Sequence, residues 1–92
     1  MDSIVLHVTY RGAQARAFAE EMQRGLRAEV LAEDGCLQYD YFLPLGQEDA
    51  VLLLEHWRDQ SALDAHFVGV PMKKLKALKE HYGLETGIER FE

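Results

Sequence analysis

Four histidines, four tyrosines, one tryptophan and one cysteine are the side chains with most chemical scope in this chain of 92 residues. His7, His56, His66 and His81 are scattered and lack the close pairing of a helical zinc motif, so no metal is expected. Cys36 has no second cysteine and no evident base beside it, and its expected role is that of a small buried residue after a turn. More can be made of His56-Trp57, which ends an apolar run, and of His66-Phe67, which follows two turns into a helical pattern. Histidine, with an unperturbed pKa of about 6.5, suits proton transfer near neutrality. Trp57 and Phe67 would give an aromatic ligand flat walls, and Tyr39 and Tyr41, on one strand face, could present hydroxyls to it.

Each of these residues also has a plainer use. His66 can bond a nearby backbone group, Trp57 can be core packing, and the two tyrosines can fill a subunit interface. His56 and Trp57 have opposite strand parity, so at most one of them faces a pocket. His7 lies on the first strand and could join a polar cluster, whereas His81, near a helix C-terminus, is expected to be structural.

The elements that must position these groups follow from periodicity. Ser3 to Tyr10 alternates, with Ile4, Leu6, Val8 and Tyr10 on one face and Val5, His7 and Thr9 on the other. From Ala13 to about Ala32 the residues Ala15, Phe18, Met22, Leu26 and Val30 recur at helical spacing. Gly25 weakens that helix by about 1 kcal/mol relative to alanine, at a point where another backbone or a ligand could come close. Asp34-Gly35 ends it. Cys36 to Leu43 sets Leu37, Tyr39, Tyr41 and Leu43 against Cys36, Gln38, Asp40 and Phe42, and the turn chemistry of Pro44 to Asp49 makes a hairpin with the next strand. That strand, Ala50 to Trp57, is apolar at both parities and should be central. Asp59 is placed to cap a short helix carrying Leu63 and Phe67; Gly69-Val70-Pro71 interrupts it, and Pro71 opens another with the stripe Met72, Leu75, Leu78 and Tyr82. Leu84 to Phe91 reads as an edge strand.

This order predicts a single domain over residues 1–92, of the α+β class. Its fold is a ferredoxin-like βαββαβ arrangement: a four-stranded antiparallel sheet with the first and third strands central and the helices on one face. The other face would carry Val5, Leu52 and Leu54, and a face-to-face homodimer would cover it. A chain of this length buries only about 60–65% of its unfolded surface, so a partner subunit would add to a modest core.

The totals exclude other classes. A formal charge of −6, without a basic stripe, makes nucleic acid a poor partner; Lys73, Lys74 and Lys76 read as a solvated helix face. The acidic start Met1-Asp2 leads into a strand without a targeting segment or membrane span, and a lone cysteine suits a reducing compartment, so the cytoplasm is expected.

Taken together, Gly35-Cys36-Leu37-Gln38-Tyr39, the apolar strand ending in Glu55-His56-Trp57, the run Ser61-Ala62-Leu63-Asp64-Ala65-His66 and the helix opened near Pro71 resemble the antibiotic biosynthesis monooxygenase (ABM) domain family, over Ile4 to Phe91. The resemblance implies a dimeric α+β barrel with a small pocket in each subunit between sheet and helices. It further implies oxygenation of a small aromatic, quinol or anthrone-type substrate without metal, flavin, haem or other cofactor. On that footing His66 is the candidate for proton transfer, and Trp57, Phe67, Tyr39, Tyr41 and His56 are the candidates for substrate binding. A haem-degrading branch is set aside: the first strand has no asparagine, His66 stands where that branch has tryptophan, and its expected ligand position falls near Lys76. An isomerase or quinol oxidase on the same scaffold, or a non-enzymatic binding or stress-associated module, is the alternative.

Overall fold

A computed structural model describes residues 3–92; Met1 and Asp2, and with them the expectation about the acidic start, lie outside the described residues. The elements in order are β1 (Ile4–Arg11), α1 (Ala15–Arg24), α2 (Leu26–Leu31), β2 (Cys36–Phe42), β3 (Ala50–Trp57), α3 (Gln60–Phe67), α4 (Val70–His81) and β4 (Glu85–Phe91). The strands form one antiparallel sheet in the order β2-β3-β1-β4, so the two inner strands are β3 and β1, as the periodicity predicts.

Burial follows the pleat. Along β1 and β3 the side chains Ile4, Leu6, Val8, Tyr10, Val51, Leu53, Glu55 and Trp57 are buried, while the alternate positions between Val5 and Thr9 and between Leu52 and His56 are only half covered. One apolar cluster joins this inner face to residues of every helix, among them Phe18, Met22, Val30, Leu63 and Leu75. All four helices therefore cover the same side of the sheet. The outer face carries Val5, Thr9, Leu52 and Leu54, half exposed, flanked by the rings of Phe42 and Phe91.

The chain departs from its periodicity at two places. The helix expected to run unbroken from Ala13 to Ala32 divides at Gly25, whose φ of −165° is extended rather than helical. A side chain there would meet nothing within 4 Å, so no other backbone comes close, and the break is consistent with glycine's weak helix propensity. In β2 a bulge makes Leu37 the extra residue: Cys36 opposes Trp57 and Gln38 opposes His56. Cys36 thus shares the inner face with Tyr39 and Tyr41, and Leu37, expected among them, is 56% exposed.

The junction between β3 and α3 is held from both sides. Asp59 caps α3 by accepting from the Ala62 N–H at 2.9 Å. Arg58 N–H donates to Gly35 O at 2.8 Å, and its guanidinium pairs with Asp34, which fastens the α2–β2 turn against the start of α3. Gly35 has φ of +83°, and a methyl group on it would collide with the Ala62 side chain, so glycine is needed both for its conformation and for its size.

Candidate active site

The inner end of β3 and the last turn of α3 bring Trp57 and His66 face to face, with ring centroids 4.5 Å apart and planes inclined by 32°. The sequence places both there: Trp57 ends the buried parity of β3, and His66 lies one turn after Leu63 on the buried stripe of α3. His66 is 2% exposed, and a 2.8 Å hydrogen bond joins its Nδ1 to Glu33 Oε2, supplied by the turn after α2. Trp57 Nε1 donates to Glu55 Oε1 at 2.9 Å.

Glu55 is the least expected member of the group. It is a carboxyl group buried among apolar side chains, and desolvation raises its pKa above the ordinary value, opposed by the Trp57 hydrogen bond and by the charge of His66. Burial, helped by the negative charge of Glu55, likewise raises the Tyr10 phenol. The Cys36 thiol is pushed up to about 11, chiefly by burial and then by the charges of Glu55 and Glu33, so it stays protonated and unreactive.

A cleft of about 80 Å³ opens beside these groups. Leu6, Met72, Leu75 and Ile88 give it apolar walls, Glu55 and His66 lie at its inner side, and Phe67, Lys76, Lys79 and Thr86 also border it. The cleft is small and partly enclosed by these side chains. A wider groove of about 600 Å³ lies between α1 and β2. It is open, has the Arg27–Asp40 ion pair on its wall, and contains neither histidine nor buried carboxylate.

The residues singled out from the sequence are thus only partly assembled. His66 and Phe67 line the cleft, the latter at 44% exposure. Trp57 stands behind His66 and supports it, so it is not itself a wall of the cleft. Tyr39 is fully buried with its ring 6.3 Å from that of His66, and Tyr41 lies 5.9 Å from Tyr39 and borders the wider groove. Desolvation raises both phenols; the hydroxyls are near enough to affect each other, but neither has hydrogen-bond geometry with any group among the described residues. His56 does not join the site: it opposes Val5 and Gln38 on the outer face, because strand parity turns it away from Trp57. His7 is on that face too, packed on Phe91 at 4.7 Å.

Two functional candidates, Glu33 and Glu55, are additions to the residues named from the sequence. Glu55 carries a legible signal, a charge at the inward parity of a central strand. Glu33 carries none, since its partner is 33 residues away. Among the described residues no three His, Cys, Asp or Glu side chains converge as metal ligands, and no helix is long and apolar enough to cross a membrane.

Comparison with known proteins agrees with this architecture. YcnE of Bacillus subtilis (strain 168), named as a candidate monooxygenase, is 40% identical over 47 residues, a stretch that is 46% of this chain and 50% of that protein. The match thus spans about half the length of each. A conserved protein of Bacteroides thetaiotaomicron VPI-5482, described as a candidate oxidoreductase, superposes with a TM-score of 0.85 at 27% identity, over 98% of this chain and 96% of its own. SnoaB, a cofactor-independent oxygenase from Streptomyces nogalater, superposes with a TM-score of 0.86 over 100% of this chain and 93% of its own, and at 11% identity it shows the shared fold. With residues 1–78 also matching the family model described as Antibiotic biosynthesis monooxygenase, the chain belongs to that family.

Proposed function

We propose that this protein is a cofactor-independent monooxygenase of small, electron-rich phenols or quinols. One observation carries the reading: a buried histidine and a buried carboxyl group with a raised pKa stand together at the inner side of an apolar cleft. Deprotonation of the substrate makes an anion able to reduce dioxygen. One oxygen atom then bonds to a ring carbon, and the other leaves as water with the two hydrogens lost from substrate. The protein's share is to take the first proton, keep water out and stabilise charge on reduced oxygen. His66 is the base and Glu55, when protonated, a donor to oxygen.

The small cleft favours the smaller members of this substrate class over a fused-ring anthrone. Lys76 and Lys79 on the border favour an acidic substituent, and they also support a second reading, a proton-transferring isomerase of a small anionic substrate that uses the same His66 and Glu55. The active unit is a homodimer of single-domain chains in a reducing cytoplasm. Support comes from the half-exposed apolar outer face, from His56 Nε2, which is buried there without a partner among the described residues, and from the lone Cys36.

Oxygen uptake with a panel of hydroquinones, hydroxybenzoates and anthrones tests the reading. Uptake with one-ring substrates that is lost in His66→Ala supports it. Substrate turnover without oxygen consumption supports the isomerase, and binding without turnover rejects both.

A further inference from the structure

We propose that Glu33 is the positioning residue of this site: it selects the His66 tautomer and stabilises the imidazolium formed when that ring takes a proton. The catalytic consequence rests on the monooxygenase reading above, while the tautomer does not. An ionised carboxylate only accepts hydrogen bonds, so the 2.8 Å contact to Glu33 Oε2 requires hydrogen on His66 Nδ1. In the neutral ring Nε2 then keeps its lone pair. Because Nδ1 is occupied and His66 borders the cleft, Nε2 is the nitrogen left to address a ligand. Without that carboxylate either nitrogen could hold the hydrogen, and a ring protonated at Nε2 cannot accept a proton from substrate there.

Glu33 is also held firmly enough to do this. Its N–H donates to Val30 O at 3.0 Å, its carbonyl accepts from Cys36 N–H at 3.2 Å, and the next two residues are tied to Arg58. On the other side Gly69 leaves room for it: a Cβ there would lie 3.4 Å from Glu33 Oε1 and 3.3 Å from Ala65 O. His66 is 2% exposed and Glu33 is 19% exposed, so the carboxylate bridges the closed interior and bulk water. When the substrate O–H bond breaks, the proton bonds to Nε2 and the imidazolium is stabilised by Glu33; the Nε2 proton then passes to the reduced oxygen that leaves as water, which restores the neutral ring with its hydrogen on Nδ1 for the next cycle.

The test is the ¹⁵N spectrum of the two His66 ring nitrogens, recorded on the neutral ring, in wild type, Glu33→Ala and Glu33→Asp, with oxygen uptake on the same samples. Wild type is expected to show a protonated Nδ1 and an unprotonated Nε2, and Glu33→Ala to shift hydrogen toward Nε2. Its kcat should fall by about 10- to 100-fold with KM little changed, and Glu33→Asp should recover part of the loss. A wild-type ring protonated at Nε2, or a Glu33→Ala variant with unchanged tautomer and kcat, overturns the proposal. The predicted tautomer without any turnover instead overturns the monooxygenase reading and leaves the tautomer assignment standing. Should Glu33→Ala fail to fold, the wild-type spectrum and Glu33→Asp still decide.

Discussion

Glu55 and Trp57 leave β3 on the same face, two residues apart, and the indole N–H of one is the hydrogen-bond donor to the carboxyl of the other at 2.9 Å. The pair explains how a carboxyl group survives in the core of so small a protein. Trp57 holds its oxygen, and the charge of His66 offsets part of the desolvation.

Trp57→Phe removes the donor and leaves a smaller ring at a fully buried position. Stranding the buried carboxyl should cost about 1–3 kcal/mol. Urea denaturation followed by far-ultraviolet circular dichroism measures this, and a change within experimental error would show that Glu55 finds another partner.

Glu55 also fixes a sign for the pH dependence of stability. Its folded pKa lies above the ordinary value of 4.5, so just above that pH the folded chain binds more protons than the unfolded chain. This group's contribution to stability therefore declines as pH rises from about 4.5 through the raised folded value. Glu55→Gln removes the titration and keeps an acceptor for the indole. Relative to wild type, the variant should gain stability progressively over that interval and hold the gain at neutral pH. Denaturation midpoints from pH 4 to pH 8, about half a unit apart, give the difference curve; a flat one contradicts the burial argument.

Gly35→Ala combines left-handed strain with a steric clash against Ala62. The loss should be about 2–4 kcal/mol, which lowers Tm by roughly 10 °C or more in a domain of this size. Differential scanning calorimetry reads it directly. Gly25→Ala is the contrast, since nothing lies within 4 Å of the added methyl and φ there is not positive; it should leave Tm unchanged or raise it.

If a second copy covers the outer face, Leu54→Glu at its centre should convert a dimer to a monomer. Sedimentation equilibrium tests this, and a wild-type monomer at the highest soluble concentration rejects the homodimer. Narrow shifts in His56 ring resonances between the two forms would locate its missing partner.

Much of the fold was legible because its signals are local. Two covered parities in β3, the cap at Asp59 and proline near the start of α4 each act within a few residues, and the strand order follows from them. The meeting of Trp57 and His66 was legible for the same reason, as both flank one strand–helix junction. The bulge at Leu37 was not, because an extra residue leaves the period-two pattern on either side intact and only cross-strand pairing reveals it. The Gly25 break was visible as a weakness but not as a change of backbone direction. The Glu33–His66 bond and the separation of Tyr41 from the cleft depend on how α2 packs against β2 and α4, which no single stretch of chain encodes.

The placement of the chain's one tryptophan has a practical consequence. Because that indole rests on His66 and is tethered to Glu55, its fluorescence originates at the candidate centre and nowhere else. Protonating the imidazole, emptying the cleft of water or admitting a quinone, which quenches strongly, would each alter emission. The protein thus carries its own optical probe, and ligand libraries can be screened on the unlabelled chain before any reaction has been found.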